Sequence, residues 1–135
     1  MYPEEIDPPE PRTDIGWEIY PQAFTGLLTS LNEKYTLPAI YITENGAAMA
    51  DELENGEVND LDRIAYYQQH LLAVNKAIKQ GVNIQGYFAW SLMDNFEWAE
   101  GYLKRFGIVH VDYKDLTRTI KASGYAYKSL INQRR

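Results

Sequence analysis

Six residues, Tyr41-Ile42-Thr43-Glu44-Asn45-Gly46, put a carboxylate where a short apolar run stops. The run begins at Ala39 and has the composition of a strand. A strand that ends in an acid delivers it to the boundary between a packed wall and solvent, and barrel enzymes assemble their sites from such strand ends. A carboxylate so placed can act as a nucleophile, a base or a metal ligand, or it can be a solvated charge that finishes the strand. Nucleophilic work on a sugar requires it to stay ionised and to sit beneath the anomeric carbon.

A second set of reactive side chains lies further on, in Trp90-Ser91-Leu92-Met93-Asp94-Asn95-Phe96-Glu97-Trp98. It starts where a second strand should end, so it should open on the same mouth as Glu44. Indole faces stack on the apolar C–H face of a pyranose, while carboxylates accept from hydroxyls and indole N–H groups donate to them. Trp90, Glu97 and Trp98 therefore read as a sugar clamp, or as two core tryptophans with a solvated acid between them. Arg105, in Lys104-Arg105-Phe106-Gly107, is placed either to hold a carboxylate or to form a structural ion pair. His70 and His110 stand too far apart in sequence to suggest a metal site and read as satisfied structural histidines. Asp51, Glu52, Glu54 and Glu57 read as a solvated loop face.

The elements that must hold these residues follow from periodicity. Phe24, Leu27, Leu28 and Leu31 recur at helical spacing over residues 22–35, and Pro38 stops that helix before a strand at 39–43. A loop fills 45–59. Asp60 is placed to cap a helix whose stripe is Ile64, Tyr67, Leu71, Val74 and Ile78, with Gly81 just past its end. Residues 84–92 read as a strand apolar on both faces, the mark of a parallel sheet covered by helices. A polar, aromatic loop covers 93–105, residues 106–113 read as extended, and 121–132 as a closing helix with Ala122, Tyr125, Ala126 and Leu130 inward. Residues 1–12, rich in proline and acid, should be extended.

This alternation is an α/β pattern with two clear strands. At 135 residues the chain is long enough for one modest domain, but a complete eight-stranded α/β barrel needs about 250. A net charge of −6 argues against a nucleic-acid partner. There is no cysteine, which removes disulfides and thiolate metal sites. No apolar run has the length of a membrane helix. No secretory signal is visible at the start, which gives a cytoplasmic expectation.

Taken together, four blocks resemble the C-terminal portion of a family-1 glycoside hydrolase, the β-glucosidase family. They are residues 16–21 (Gly-Trp-Glu-Ile-Tyr-Pro), 42–46, 86–98 and 101–107, in family order and at family-like spacing. The resemblance implies strands seven and eight of a (β/α)8 barrel with flanking helices, one segment over 1–135 and not a closed barrel. It implies a retaining mechanism with Glu44 as nucleophile, Trp90 as the platform under the sugar, Glu97 and Trp98 as partners of its hydroxyls, and Phe106 as an aromatic that closes the pocket. No metal or organic cofactor is implied. The expected partner is a β-glucoside or related small saccharide, together with the rest of a barrel or further copies of the chain. The family's acid/base motif, Asn-Glu-Pro, has no counterpart: Asn32-Glu33 is followed by Lys34 and lies inside the first helix. The isolated chain is therefore expected to hydrolyse little or nothing, and a sugar-binding or self-associating module is the alternative.

Overall fold

The computed structural model describes residues 11–133. The expectation for residues 1–12 thus lies almost wholly outside the described residues. Helix α1 (Pro21–Lys34) leads to strand β1 (Ile40–Asn45), helix α2 (Leu61–Lys79) and strand β2 (Ile84–Ala89). A short 3-10 turn (Trp98–Glu100), strands β3 (Val109–Val111) and β4 (Arg118–Ile120), and helix α3 (Ala122–Asn132) complete the order. Pro21 begins α1 at a position whose N–H would have no helical partner, so its missing donor does no harm.

Strands β1 and β2 pair in parallel, and α2 is the crossover between them. The apolar spacing along α1 and α2 turns Phe24, Leu28, Val74 and Ala77 toward the sheet, where they pack with Ile42, Val82, Ile40, Ile84 and Tyr87. Thr25 joins the two helices by donating its hydroxyl to the Ala73 carbonyl at 3.0 Å. A second cluster of Ala47, Met49, Tyr66 and Tyr67 lies toward the C-terminal end of the strands, and Tyr87 packs against both.

Burial on both faces of the sheet is not what the fold shows. Tyr41 and Phe88 are 56% and 57% exposed, because α1 and α2 cover one face and nothing among the described residues covers the other. Strand β2 also stops at Ala89, three residues short of the expected end. The extended segment at 106–113 is a hairpin instead: β3 pairs antiparallel with β4, joined by a turn in which the Asp112 and Asp115 carboxylates accept from the Lys114 and Thr117 amides. In α3 the inward residues begin with Ser123 and Gly124, and Tyr125 is exposed. Gly124 sits so close to the Ile108 carbonyl that a Cβ would lie 2.8 Å from its oxygen.

Both histidines are buried, with different surroundings. His70 Nδ1 donates to the Tyr66 carbonyl at 2.8 Å, and its ring stacks on that of Tyr66. His110 Nδ1 has no partner among the described residues, so the expectation of a satisfied side chain fails there. Burial holds His70 below the ordinary histidine range, and burial together with neighbouring Arg105 does the same to His110. An unfolded histidine titrates near about 6.5. Below that pH the unfolded chain binds protons that the buried rings do not, so stability present above about pH 6.5 is lost as pH falls. Thermal unfolding at several pH values should show the midpoint dropping between about pH 7.5 and 5.5, with a smaller drop in His70→Phe. A midpoint flat across that range would contradict it.

Candidate active site

The candidate residues gather at the C-terminal end of the parallel pair. Along β1, Ile42 faces Tyr87, and the next paired residues are Asn45 and Ala89. Three steps on β1 thus match two on β2, which is a bulge at Thr43 and Glu44. Without it, strict alternation would turn Glu44 to the helix side with Ile42. With it, Glu44 stands on the exposed side and Asn45 turns inward. A bulge re-aims a side chain in this way at the rims of barrels.

Asn45 then locks the strand end. Its amide nitrogen donates to the Tyr66 hydroxyl at 3.2 Å, and its amide oxygen accepts from the Tyr87 hydroxyl at 2.6 Å. Burial, reinforced by the neighbouring tyrosines, raises the Tyr87 hydroxyl well above its ordinary range, and burial also raises that of Tyr66. Both stay protonated, so Tyr87 keeps the proton it donates to Asn45 and Tyr66 stays a neutral acceptor. The Asn45 carbonyl accepts from the Trp90 amide at 2.9 Å. The Trp90 carbonyl accepts from the Tyr67 hydroxyl at 3.1 Å, and the Trp90–Ser91 peptide is cis.

Gly46 allows that approach. A Cβ at this position would stand 1.6 Å from the Trp90 carbonyl oxygen. The obstacle is backbone, so Gly46→Ala must push the two strand ends apart. The substitution is expected to lower the unfolding free energy by about 1–3 kcal/mol, read from urea midpoints. An unchanged midpoint would show that the ends separate freely.

Beyond Trp90 the chain runs beside 106–109: the Ser91 amide donates to the Phe106 carbonyl, and Asp94 to that of Val109. Glu97 is half-buried and precedes the 3-10 turn. Trp98 is 85% exposed and holds φ +41°, an uncommon conformation for a large side chain. Such backbone strain concentrates at ligand-binding segments. Phe106 is buried. It is 3% exposed and its ring lies 6.3 Å from that of Trp17. Glu44 and Trp90 are thus brought to the same end of the parallel pair, the Phe106 backbone runs beside Ser91, and Glu97 and Trp98 stand on the loop that follows.

Sequence reasoning missed the scaffold under this loop, a buried run of alternating charges. Asp60 pairs with Arg63, Arg63 with Asp51, Asp51 with Lys121, Lys121 with Asp94 and Asp94 with Arg105, at N–O distances of 2.5–2.8 Å. Two expectations are corrected here. Asp51 is no solvated loop acid: its side chain is 1% exposed, drawn in by Arg63 and Lys121. Asp60 stands at the N-cap of α2 without capping it. Its carboxylate accepts instead from the amide and hydroxyl of Ser123, satisfying an open donor at the start of α3. Asp51 and Asp60 hold Arg63 above its ordinary value despite burial, whereas burial and the nearby Arg63 outweigh the acids at Lys121 and lower it.

The family model "Glycosyl hydrolase family 1" matches residues 2–135. The chain belongs to that family. A β-glucosidase from an Agrobacterium strain is 56% identical over 119 residues, which is 88% of this chain and 26% of that protein. The family 1 β-glucosidase of Thermotoga maritima superposes with a TM-score of 0.89 at 50% identity, covering 90% of this chain and 28% of that structure, and it has been solved in complex with deoxynojirimycin. A 6-phospho-β-galactosidase of Streptococcus pneumoniae is 48% identical over 89% of this chain and 26% of its own length. This family 1 chain thus spans about a quarter of these relatives, and its fold matches part of a family 1 barrel. No helix among the described residues is long and apolar enough to cross a membrane.

Proposed function

We propose that this chain supplies the nucleophile and part of the sugar-contact surface of a retaining β-glucosidase site, as strands seven and eight of a barrel completed by further β/α units. The bulge that turns Glu44 outward beside Trp90 carries the proposal. The bare sheet face at Tyr41 and Phe88 supports completion by further strands.

In this reading the Glu44 carboxylate attacks the anomeric carbon as the bond to the leaving oxygen breaks. A second carboxylic acid, about 5–5.5 Å away and contributed by the rest of the barrel, protonates that oxygen. The same group then takes a proton from water, which attacks the anomeric carbon and releases Glu44. Trp90 stacks under the sugar, Glu97 and Trp98 meet its hydroxyls, and Phe106 backs the wall. The substrate is an unphosphorylated glucoside: a carboxylate at Glu97 repels a phosphate, and Lys104 is engaged by the Asp14 carboxylate at 3.1 Å and its carbonyl at 2.7 Å.

The test is to replace the matching quarter of the Thermotoga maritima enzyme by this chain. The hybrid is expected to hydrolyse an aryl β-glucoside, and the chain alone to be slower by at least about 10³-fold, since a retaining site lacking its acid/base loses most of its rate. A folded hybrid without turnover would overturn the proposal.

A further inference from the structure

Loop 93–105 carries Glu97 and Trp98, and its two ends meet at one carboxylate. Asp94 is fully buried and accepts four donors. Its Oδ1 takes the Gly107 amide at 3.0 Å and Lys121 Nζ at 2.8 Å. Its Oδ2 takes Arg105 Nη1 at 2.5 Å and the Val111 amide at 3.3 Å. Asp94 opens the loop and Arg105 closes it, so their ion pair shuts it like a clasp. Gly107 makes this possible, because a Cβ there would lie 2.2 Å from the Asp94 amide nitrogen.

The clasp is rooted in the helices. Arg63 of α2 donates from Nη2 to the Arg105 carbonyl at 2.7 Å, and Lys121, at the entrance to α3, ties Asp94 to Asp51. The tip has separate support. The Tyr102 ring meets those of Phe96 and Tyr113, and the Tyr113 hydroxyl donates to the Asn95 carbonyl. Burying charge is a poor way to gain stability, since apolar packing does as well or better. What a carboxylate with four donors adds is direction: each bond fixes a strand end or a loop end at a set angle.

We propose that Asp94 is the positioning residue of the sugar-contact loop, holding both of its ends so that Glu97 and Trp98 are presented in one arrangement. This rests on the reading of Glu97 and Trp98 as sugar contacts. Amide hydrogen exchange of the chain itself tests it. Asp94→Asn should speed exchange at residues 95–104 by about tenfold or more while amides of α1 and β1 change by less than about twofold, because local opening is separable from global unfolding. Arg105→Gln, which leaves Asp94 paired with Lys121, should repeat the pattern more weakly, and Arg105→Lys should largely restore protection. Should Asp94→Asn fail to fold, the two Arg105 variants carry the test. Unchanged exchange in the loop, or equal acceleration throughout, would overturn the proposal, the second because it reports only lost stability. The experiment contains no sugar, so failure of the glycosidase reading appears in the hybrid enzyme and failure of the clasp appears here.

Discussion

In the completed barrel, Glu44→Gln is expected to reduce kcat for an aryl β-glucoside on the order of 10⁴-fold or more, as removal of a covalent nucleophile does elsewhere. The amide keeps the shape of the side chain and its place on the bulge, and loses only the charge that the proposed mechanism uses. KM should therefore change far less than kcat. Glu44→Ala leaves room at the anomeric carbon for a small anion. Added azide should restore turnover and give a glucosyl azide of inverted configuration, because it attacks from the side on which Glu44 stood. A loss below about tenfold, or azide rescue with retained configuration, would place the nucleophile elsewhere.

Lys121→Met should have the largest effect on stability. The ammonium lies between the Asp51 and Asp94 carboxylates, with its side chain fully buried. Burial lowers its pKa, so the site is not one where a cation is intrinsically comfortable. Removing it nevertheless leaves two buried acids short of a partner, and breaking such a pair costs about 3–5 kcal/mol. That is a large share of the roughly 5–15 kcal/mol that holds a typical domain folded. Urea unfolding should show the loss, and adding Asp51→Asn to Lys121→Met should cost less than the two single effects combined. Additive effects, or a loss below about 1 kcal/mol, would show that the charges act independently.

The placement of Glu44 and of the Trp90 loop was legible because both depend on local pattern: an apolar run, its abrupt end, and the chemistry that follows. The helices were legible to within a few residues for the same reason. The bulge was not, since Thr43 and Glu44 are both polar and residue types alone do not reveal that alternation slips between them. Asp51 was misread because it opens an acidic stretch whose other members are exposed, while its partners Arg63 and Lys121 lie 12 and 70 residues away. Asp60 looked like a cap for the helix it precedes and instead serves Ser123, 63 residues later in the first turn of α3. Strand β4 is three residues long, too short for periodicity to show. Phe106 has the residue type of a pocket lid, but whether a ring faces a ligand or a neighbour such as Trp17 is decided by tertiary packing.

The most direct test uses the hybrid barrel and an activated 2-deoxy-2-fluoro-β-glucoside, whose good leaving group departs without acid assistance and whose fluorine slows release of the covalent intermediate. The intact mass should rise by one fluoroglucosyl group, and peptide mapping should place it on Glu44. An adduct on another carboxylate, or none in a hybrid that hydrolyses glucosides, would contradict the assignment of Glu44 as the nucleophile.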